Sequence, residues 1–153
     1  MTIFRQGITA AANGLPVISR AVVRGDTVYL CGVTPDPVGD VKAQTRQVLE
    51  RIDRLLAGAG SDKSRLLTAH VWLTDMRLFA DHNEVWNEWV DRENPPVRAC
   101  VGAVVPPRYP GRDHGYRRPL EGLFILWVCP QRHAGRDFPA TRYRPATEAP
   151  ASP

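Results

Sequence analysis

The sequence has few cysteines, and its three, Cys31, Cys100 and Cys129, are widely separated and odd in number. Disulfide frameworks and structural zinc sites both need paired cysteines, so this spacing argues against them. The four histidines form no HExxH or comparable ligand spacing either. We therefore expect the protein to bind no metal ion.

Long apolar runs are also missing. No stretch approaches the roughly 20 consecutive apolar residues that cross a bilayer. The first residues, MTIFRQGITAAANG, lack the basic-then-apolar order of a secretory signal. We therefore expect a cytoplasmic, soluble protein with no membrane partner.

The first two thirds of the chain carry no net charge. Residues 1–106 hold 12 Lys and Arg against 12 Asp and Glu, whereas residues 107–153 hold 8 Arg against 4 acidic residues and contain 8 of the 14 prolines. A neutral body argues against a phosphate-binding footprint, so nucleic acid is not the expected partner. We divide the chain into a domain, 1–106, and an atypical Arg- and Pro-rich tail, 107–153.

Hydrophobic periodicity predicts the element order β-β-α-β-α-β within the first domain. Asp40 is a suitable N-cap for the first helix and Asp75 for the second, while Gly58 and Gly60 would end the first. The predicted strands are 17–24, 27–33, 66–74 and 97–105, and the second helix is 77–91. Two helices on one mixed sheet form a two-layer α+β sandwich, in which the last strand still needs a partner.

Five segments together resemble the Rid family of enamine/imine deaminases (YjgF/YER057c/UK114 type) over about residues 15–106. They are VISRAV at 17–22, VYLCGVTP at 28–35, QTRQVLERIDRLLAGAGSDKSRLL at 44–67, VWLTDMRLFADHNEVWNEWV at 71–90 and PPVRACV at 95–101. The resemblance implies a chorismate-mutase-like fold and a homotrimer with ligand clefts between subunits. It also implies a reaction that needs no cofactor.

The resemblance also assigns candidate site residues. Arg98 matches the arginine that grips the substrate carboxylate, and Cys100 matches a cysteine beside it, which makes these two the candidate catalytic residues. The remaining candidates, all for substrate binding, are Ser19, Cys31, Gly32 and Asn83.

Each assignment competes with an ordinary structural role. Arg98 could form an interfacial salt bridge, although a planar guanidinium suits a bidentate carboxylate clamp. Cys31 is better explained as a small buried apolar residue, and Ser19 could equally be a sheet serine. Asn83 and Trp86 fit helix packing and capping. His70 and His82 are expected to be structural or solvated.

Two features depart from the family pattern. Ile18 replaces the aromatic residue that is common before the serine. Many deaminating members also carry a glutamate on a closing strand of the type LVEIMVTAA, where it is thought to position or activate water. The segment after residue 105 shows nothing similar.

A shift of reading frame near residues 106–108 would explain the missing strand. The codons for GRDHGYRR, residues 111–118, read one base later, permit Val-Glu-Ile-Met-Val-Thr-Ala-Ala. We therefore favour the hypothesis that residues from about 107 onward are out of frame. The alternative is a genuine basic extension in which LEGLFILWV, 120–128, serves as the last strand.

The function predicted from this reasoning is hydrolysis of enamines or imines of the 2-aminoacrylate or 2-iminobutanoate type to a 2-keto acid and ammonia. A catabolic aminomuconate- or aminoacrylate-type deaminase is a related alternative. A trimer that binds ligands without catalysis is another, and an endoribonuclease or translation inhibitor ranks below these.

Overall fold

A computed structural model describes residues 2–10, 16–36 and 38–103, and the backbone of a strand at 123–130. The strands are β1 Ile3–Gln6, β2 Ala21–Arg24, β3 Thr27–Val33, β4 Thr68–Leu73, β5 Val97–Gly102 and β6 Leu123–Pro130, and the helices are α1 Val41–Gly58 and α2 Phe79–Trp89. Short 3-10 turns, Lys63–Arg65 and Met76–Leu78, precede β4 and α2.

The six strands form one mixed sheet in the order β1-β2-β3-β6-β4-β5. Strands β4 and β5 are parallel, which requires a crossover connection, and α2 lies in that connection. Strand β6 lies antiparallel between β3 and β4 and so joins the two halves of the sheet. The chorismate-mutase-like α+β fold expected from the sequence is confirmed.

Apolar residues from one face of the sheet and from both helices form the core. Residues of β2, β3 and β4 that point toward the helices are buried, as Val28, Val71 and Leu73 illustrate. Helix α1 adds Val48 and Ile52, both without exposed surface. Alternation along the strands and a 3.6-residue period along the helices place these residues on facing surfaces.

Local signals set the ends of the helices. Asp40 caps α1, since its side chain accepts a hydrogen bond from the Ala43 amide at 2.8 Å. Gly58 belongs to the last turn of α1, and Gly60, with φ of 72°, lies two residues beyond it. Asp75 caps the 3-10 turn Met76–Leu78, so α2 itself begins three residues later than Asp75 alone indicates.

The predicted element order was incomplete at both ends. Strand β1 was not predicted; it has only four residues and occupies the sheet edge beside β2. The closing strand is β6, close to the alternative segment 120–128, while residues 106–118 lie outside those described. Strand β5 ends at Gly102 rather than Val105. The frame-shift hypothesis concerns the DNA and stays a prediction.

Candidate functional site

Arg98 lies on β5, the edge strand of the sheet, and its side chain is half-buried on the helix-facing side. The register shows this orientation directly. Arg98 pairs with Ala69 and Cys100 with Val71, and both partners are buried beneath the helices. Residues directly opposite in neighbouring strands share a face. The edge position therefore sets a charged residue beside α2 rather than in the centre of the core.

Three side chains of α2 surround the Arg98 guanidinium. Its Nη1 donates a 2.7 Å hydrogen bond to Asn83 Oδ1. The guanidinium carbon lies 4.7 Å from the centre of the Trp86 ring and 5.9 Å from that of Phe79. Spacings of three and four residues place these side chains on neighbouring parts of one helix surface. The helix holds the guanidinium by one polar bond and by cation–π attraction.

Two nitrogens of Arg98, Nε and Nη2, are buried and have no hydrogen-bond partner among the described residues. These nitrogens form one side of the guanidinium fork. In the same protein, Arg77 uses the equivalent pair to grip the Asp75 carboxylate, with Nε at 2.9 Å and Nη2 at 2.6 Å from Oδ2. Burial lowers the pKa of Arg98 from its usual value. A half-buried cation whose fork has no hydrogen-bond partner among the described residues is suited to binding a carboxylate.

Cys100 lies two residues from Arg98 on the same face of β5 and is half-buried. Burial raises the pKa of its thiol, and the Arg98 charge, which acts in the opposite direction, does not reverse the shift. The thiolate is the nucleophilic form of cysteine. A raised pKa therefore favours a neutral thiol that helps to line the site.

Cys31 and Gly32 lie at an irregularity of β3. Buried residues along β3 are Val28, Leu30 and Val33, so the alternation gains one residue between Leu30 and Val33. The pairing with β6 shifts its register at the same place, as a β-bulge does. Burial also raises the pKa of the Cys31 thiol, and the nearby Arg20 opposes that rise.

Ser19 precedes β2 and is half-buried. The carbonyl of its neighbour Arg20 accepts a 3.0 Å bond from the Cys31 amide, which continues the β2–β3 pairing beyond Ala21. Extending that antiparallel register by one more pair sets Ser19 beside Gly32. Ser19 thus lies at the end of β2 that faces the bulge, next to the paired Arg20 and Cys31.

The structure separates the candidate residues into two groups. Arg98, Cys100 and Asn83 meet at β5 and α2, whereas Ser19, Cys31 and Gly32 meet at β2 and β3. Strands β6 and β4 lie between β3 and β5. Three strand spacings amount to about 14 Å, so one copy of the chain does not join the two groups around one small ligand.

The loop after the bulge is tied to α1. Arg51 donates from Nη1 to the Thr34 carbonyl and from Nη2 to the Asp36 carboxylate, and the Asp36 amide donates to Gln47. Pro35 between them is buried. These bonds fix the chain that leaves Gly32, and sequence reasoning did not identify them because their partners are 11 to 17 residues apart.

His82 is the buried residue that sequence reasoning treated as structural or solvated. It has no exposed surface, and its Nδ1 lies 3.1 Å from Thr45 Oγ1 on α1. Burial first, and the Arg98 charge second, lower the pKa of His82 to about 4. Its position directly before Asn83 was the only sequence signal that could have linked it to the site.

Among residues 2–10, 16–36 and 38–103, no group of three or more His, Cys, Asp or Glu side chains could hold a metal ion. Within the same part of the chain, no helix is both long and apolar enough to span a bilayer.

The fold and site together define a class of small two-layer α+β protein. This chain carries an arginine with a buried guanidinium on the edge strand β5 and a β-bulge on β3 of the same sheet. Comparison with known proteins identifies the family. The family model described as endoribonuclease L-PSP matches residues 10–109. The chain belongs to this family, which includes the YjgF and RutC proteins, and the resemblance to the Rid type is confirmed.

Individual relatives agree with this assignment. A RutC family protein of Haemophilus influenzae is 42% identical over 88 residues, which are 56% of this chain and 76% of the relative. The crystal structure of NMB1025, a YjgF family member from Neisseria meningitidis, is similar with a TM-score of 0.71 and 34% identity, covering 88% of this chain and 98% of that one. A putative translation initiation inhibitor from Salmonella typhimurium has a TM-score of 0.63 and 31% identity, with 84% and 97% covered.

Proposed function

We propose that this protein hydrolyses reactive enamines and imines derived from amino acids, of the 2-aminoacrylate or 2-iminobutanoate type, to a 2-keto acid and ammonia. The observation that carries the proposal is that Nε and Nη2 of Arg98 have no hydrogen-bond partner in the part of the chain that the structure describes. Such substrates present a carboxylate next to the reacting carbon. The fork is the part of a guanidinium that binds a carboxylate through two parallel hydrogen bonds.

Arg98 would act by orientation. Two bonds to the carboxylate fix the neighbouring imine carbon, and the bond from Nη1 to Asn83 fixes the guanidinium itself. Water adds to that carbon to give a carbinolamine, which then expels ammonia and leaves the ketone. Holding the carbon and the water in one geometry lowers the entropic part of the barrier. The reaction needs neither a metal nor an organic cofactor.

Access to the fork requires a side chain to move, because both nitrogens lie beneath the surface. Phe79 is suited to this movement. Its ring lies over the guanidinium, and the residue is 39% exposed. Trp86, the other aromatic residue that contacts the guanidinium, is buried. A ligand that displaces the Phe79 ring would reach Nε and Nη2 of Arg98, while the guanidinium would keep its contact with Trp86.

The proposal includes a homotrimer with clefts between subunits. The sheet face opposite the helices carries exposed apolar side chains, including Val97 at 72%, Val101 at 47% and Tyr29 at 43%. An apolar face of this kind is typical of a protein interface. We propose that this assembly also brings the Ser19–Gly32 group of one subunit to the edge strand β5 of another, so that the two groups share a ligand. We place this assembly in the cytoplasm.

The general base of this mechanism would be a carboxylate on the closing strand. Strand β6, Leu123–Pro130, contains no acidic residue, and a positioned carboxylate contributes about 100- to 10,000-fold to such a step. We propose that residues from about 107 onward are out of frame and that the native closing strand carries the glutamate. Sequencing the DNA over codons 100–125 tests this: a gained or lost base supports it, and an intact frame refutes it.

Arg98→Ala tests the enzyme proposal. Ammonia release from 2-iminobutanoate generated in situ should fall at least tenfold in Arg98→Ala. Arg54→Ala, which removes an exposed arginine from α1, should behave like the parent protein. Equal rates for all three proteins would refute the assignment of Arg98.

A ligand-binding trimer without catalysis is the second candidate, and the lack of an acidic residue on β6 favours it. In that case 2-oxobutanoate should bind the parent protein and not Arg98→Ala, while ammonia release stays at the uncatalysed rate. An RNA-directed activity has its support in the names of the family model and of the Salmonella relative. It requires strongly salt-dependent RNA binding by the full chain.

A further inference from the structure

The hydrogen bonds of Thr45 determine the form of His82. Thr45 Oγ1 donates its single hydrogen to the Val41 carbonyl at 2.7 Å. The hydroxyl oxygen can therefore only accept in its 3.1 Å contact with His82 Nδ1. His82 must carry its proton on Nδ1, and its Nε2 is left as a buried acceptor without a partner among the described residues.

His82 stands at the centre of the contacts that hold Arg98. The next residue, Asn83, accepts the bond from Arg98 Nη1. One helical turn later, Trp86 contacts the guanidinium and lies 6.5 Å from the His82 ring. A rotation of α2 about its axis would move Asn83 and Trp86 together. The Thr45–His82 bond joins α2 to α1 at His82, which lies next to Asn83 and one turn before Trp86. It can therefore fix the position of both side chains that contact the Arg98 guanidinium.

We propose that His82 is a positioning residue, which the Thr45 hydroxyl holds as the neutral Nδ1–H tautomer so that α2 keeps Asn83 and Trp86 against the Arg98 guanidinium. This role rests on the proposed function of Arg98, because it prepares the carboxylate fork. The lowered pKa of His82 agrees with a neutral ring.

The charged groups around the ring favour the same form. Arg98 is the charged neighbour on β5, and a second cation beside it would be repelled. Lys42 on α1 is paired with Asp81 and Glu84 on the exposed side of α2, at 3.5 and 2.7 Å. No carboxylate is recorded as bonded to the imidazole in the described part of the chain, so no group there stabilises an imidazolium.

The test uses two matched pairs of variants in the full chain. Thr45→Val removes the acceptor and keeps the shape, whereas Thr45→Ser keeps the hydroxyl. His82→Gln removes the donor from the Nδ1 position, whereas His82→Asn places an amide N–H there. The first readout is ¹⁵N NMR of the His82 ring, whose resonances are assigned by their loss in His82→Asn. The second is the ¹⁵N resonances of the Arg98 guanidinium, and the third is the dissociation constant for 2-oxobutanoate.

We expect the parent protein to show the Nδ1–H tautomer at neutral pH. The Arg98 resonances should move toward solvent-exposed values in Thr45→Val and His82→Gln and recover in Thr45→Ser and His82→Asn. The dissociation constant should rise about tenfold in the first two variants, as for the loss of one buried hydrogen bond. It should recover to within about twofold in the conservative pair.

Two results would overturn the proposal: an Nε2–H tautomer in the parent protein, or Arg98 resonances that stay unchanged in both Thr45→Val and His82→Gln. If His82→Gln does not fold, the Thr45 pair decides the question alone. If the Arg98 resonances respond as expected but no variant or parent protein binds 2-oxobutanoate, the positioning role stands. The carboxylate function of Arg98 is then what fails.

Discussion

Acid should destabilise this protein through His82. The side chain has no exposed surface, and its folded-state pKa of about 4 lies below the ordinary value of 6.5. The unfolded chain therefore binds a proton at a pH where the folded chain does not. Because the folded-state pKa is the lower one, the contribution of His82 to stability is complete above pH 6.5 and is lost as the pH falls toward 4.

The size of this effect follows from the shift itself. Each pKa unit corresponds to about 1.4 kcal/mol, so a fall from 6.5 to about 4 corresponds to about 3–4 kcal/mol in the free energy of unfolding. About 2 kcal/mol of this should be lost between pH 7.5 and pH 5. That is a large part of the 5–15 kcal/mol by which domains are usually stable.

Urea denaturation from pH 7.5 to pH 5 provides the assay. The free energy of unfolding of the parent protein should fall by about 2 kcal/mol more over this range than that of His82→Asn, which cannot titrate at this position. Carboxylates titrate in both proteins, so their contribution cancels in the comparison. His70→Asn, at an exposed position of β4, is the control and should keep the parent's pH dependence. Parallel pH profiles for the parent protein and His82→Asn would refute the reasoning.

Three further substitutions probe the cap, the core and the open sheet face. Asp40→Ala removes the side chain that accepts from the Ala43 amide and should lower the free energy of unfolding by about 1 kcal/mol in urea; no change would mean that the cap bond is not formed. Ile52→Ala should cost about 2–5 kcal/mol in the same assay, because Ile52 has no exposed surface, and a loss below that range would place the residue outside the core. Val101→Lys adds a charge to the exposed apolar face and should convert the proposed trimer to monomers in sedimentation experiments; an unchanged oligomer would exclude this face as the interface.

Much of the fold could be predicted from local patterns. The apolar period from Val41 to Leu56 and the Asp40 cap specify α1, β-forming residues specify β3, and an apolar run specifies β4. Strand β1 escaped prediction because four half-exposed residues carry little periodic signal. The place of β6 between β3 and β4 could not be predicted, because pairing depends on strands that are far apart in the chain.

The candidate site divides in the same way. Arg98 and Asn83 were identified through resemblance to a family, and the structure places them 2.7 Å apart through Nη1 and Oδ1. The role of His82 could not be identified, since its meaning depends on Thr45, 37 residues earlier in the chain. The bulge at Cys31–Gly32 was also invisible in the sequence, because the register of β3 depends on its partner β6.

By itself, the sequence determined which residues are apolar, which turns and caps are available and that an arginine lies within an apolar strand. These properties are local and follow from the order of side chains along a few residues. Only the tertiary structure decided that Arg98 lies on an edge strand against α2 and that the His82 ring is buried. The tertiary structure also placed Ser19, Cys31 and Gly32 three strand spacings away from Arg98. Burial, charge and hydrogen-bond partners depend on which distant segments pack together, and no local pattern specifies that.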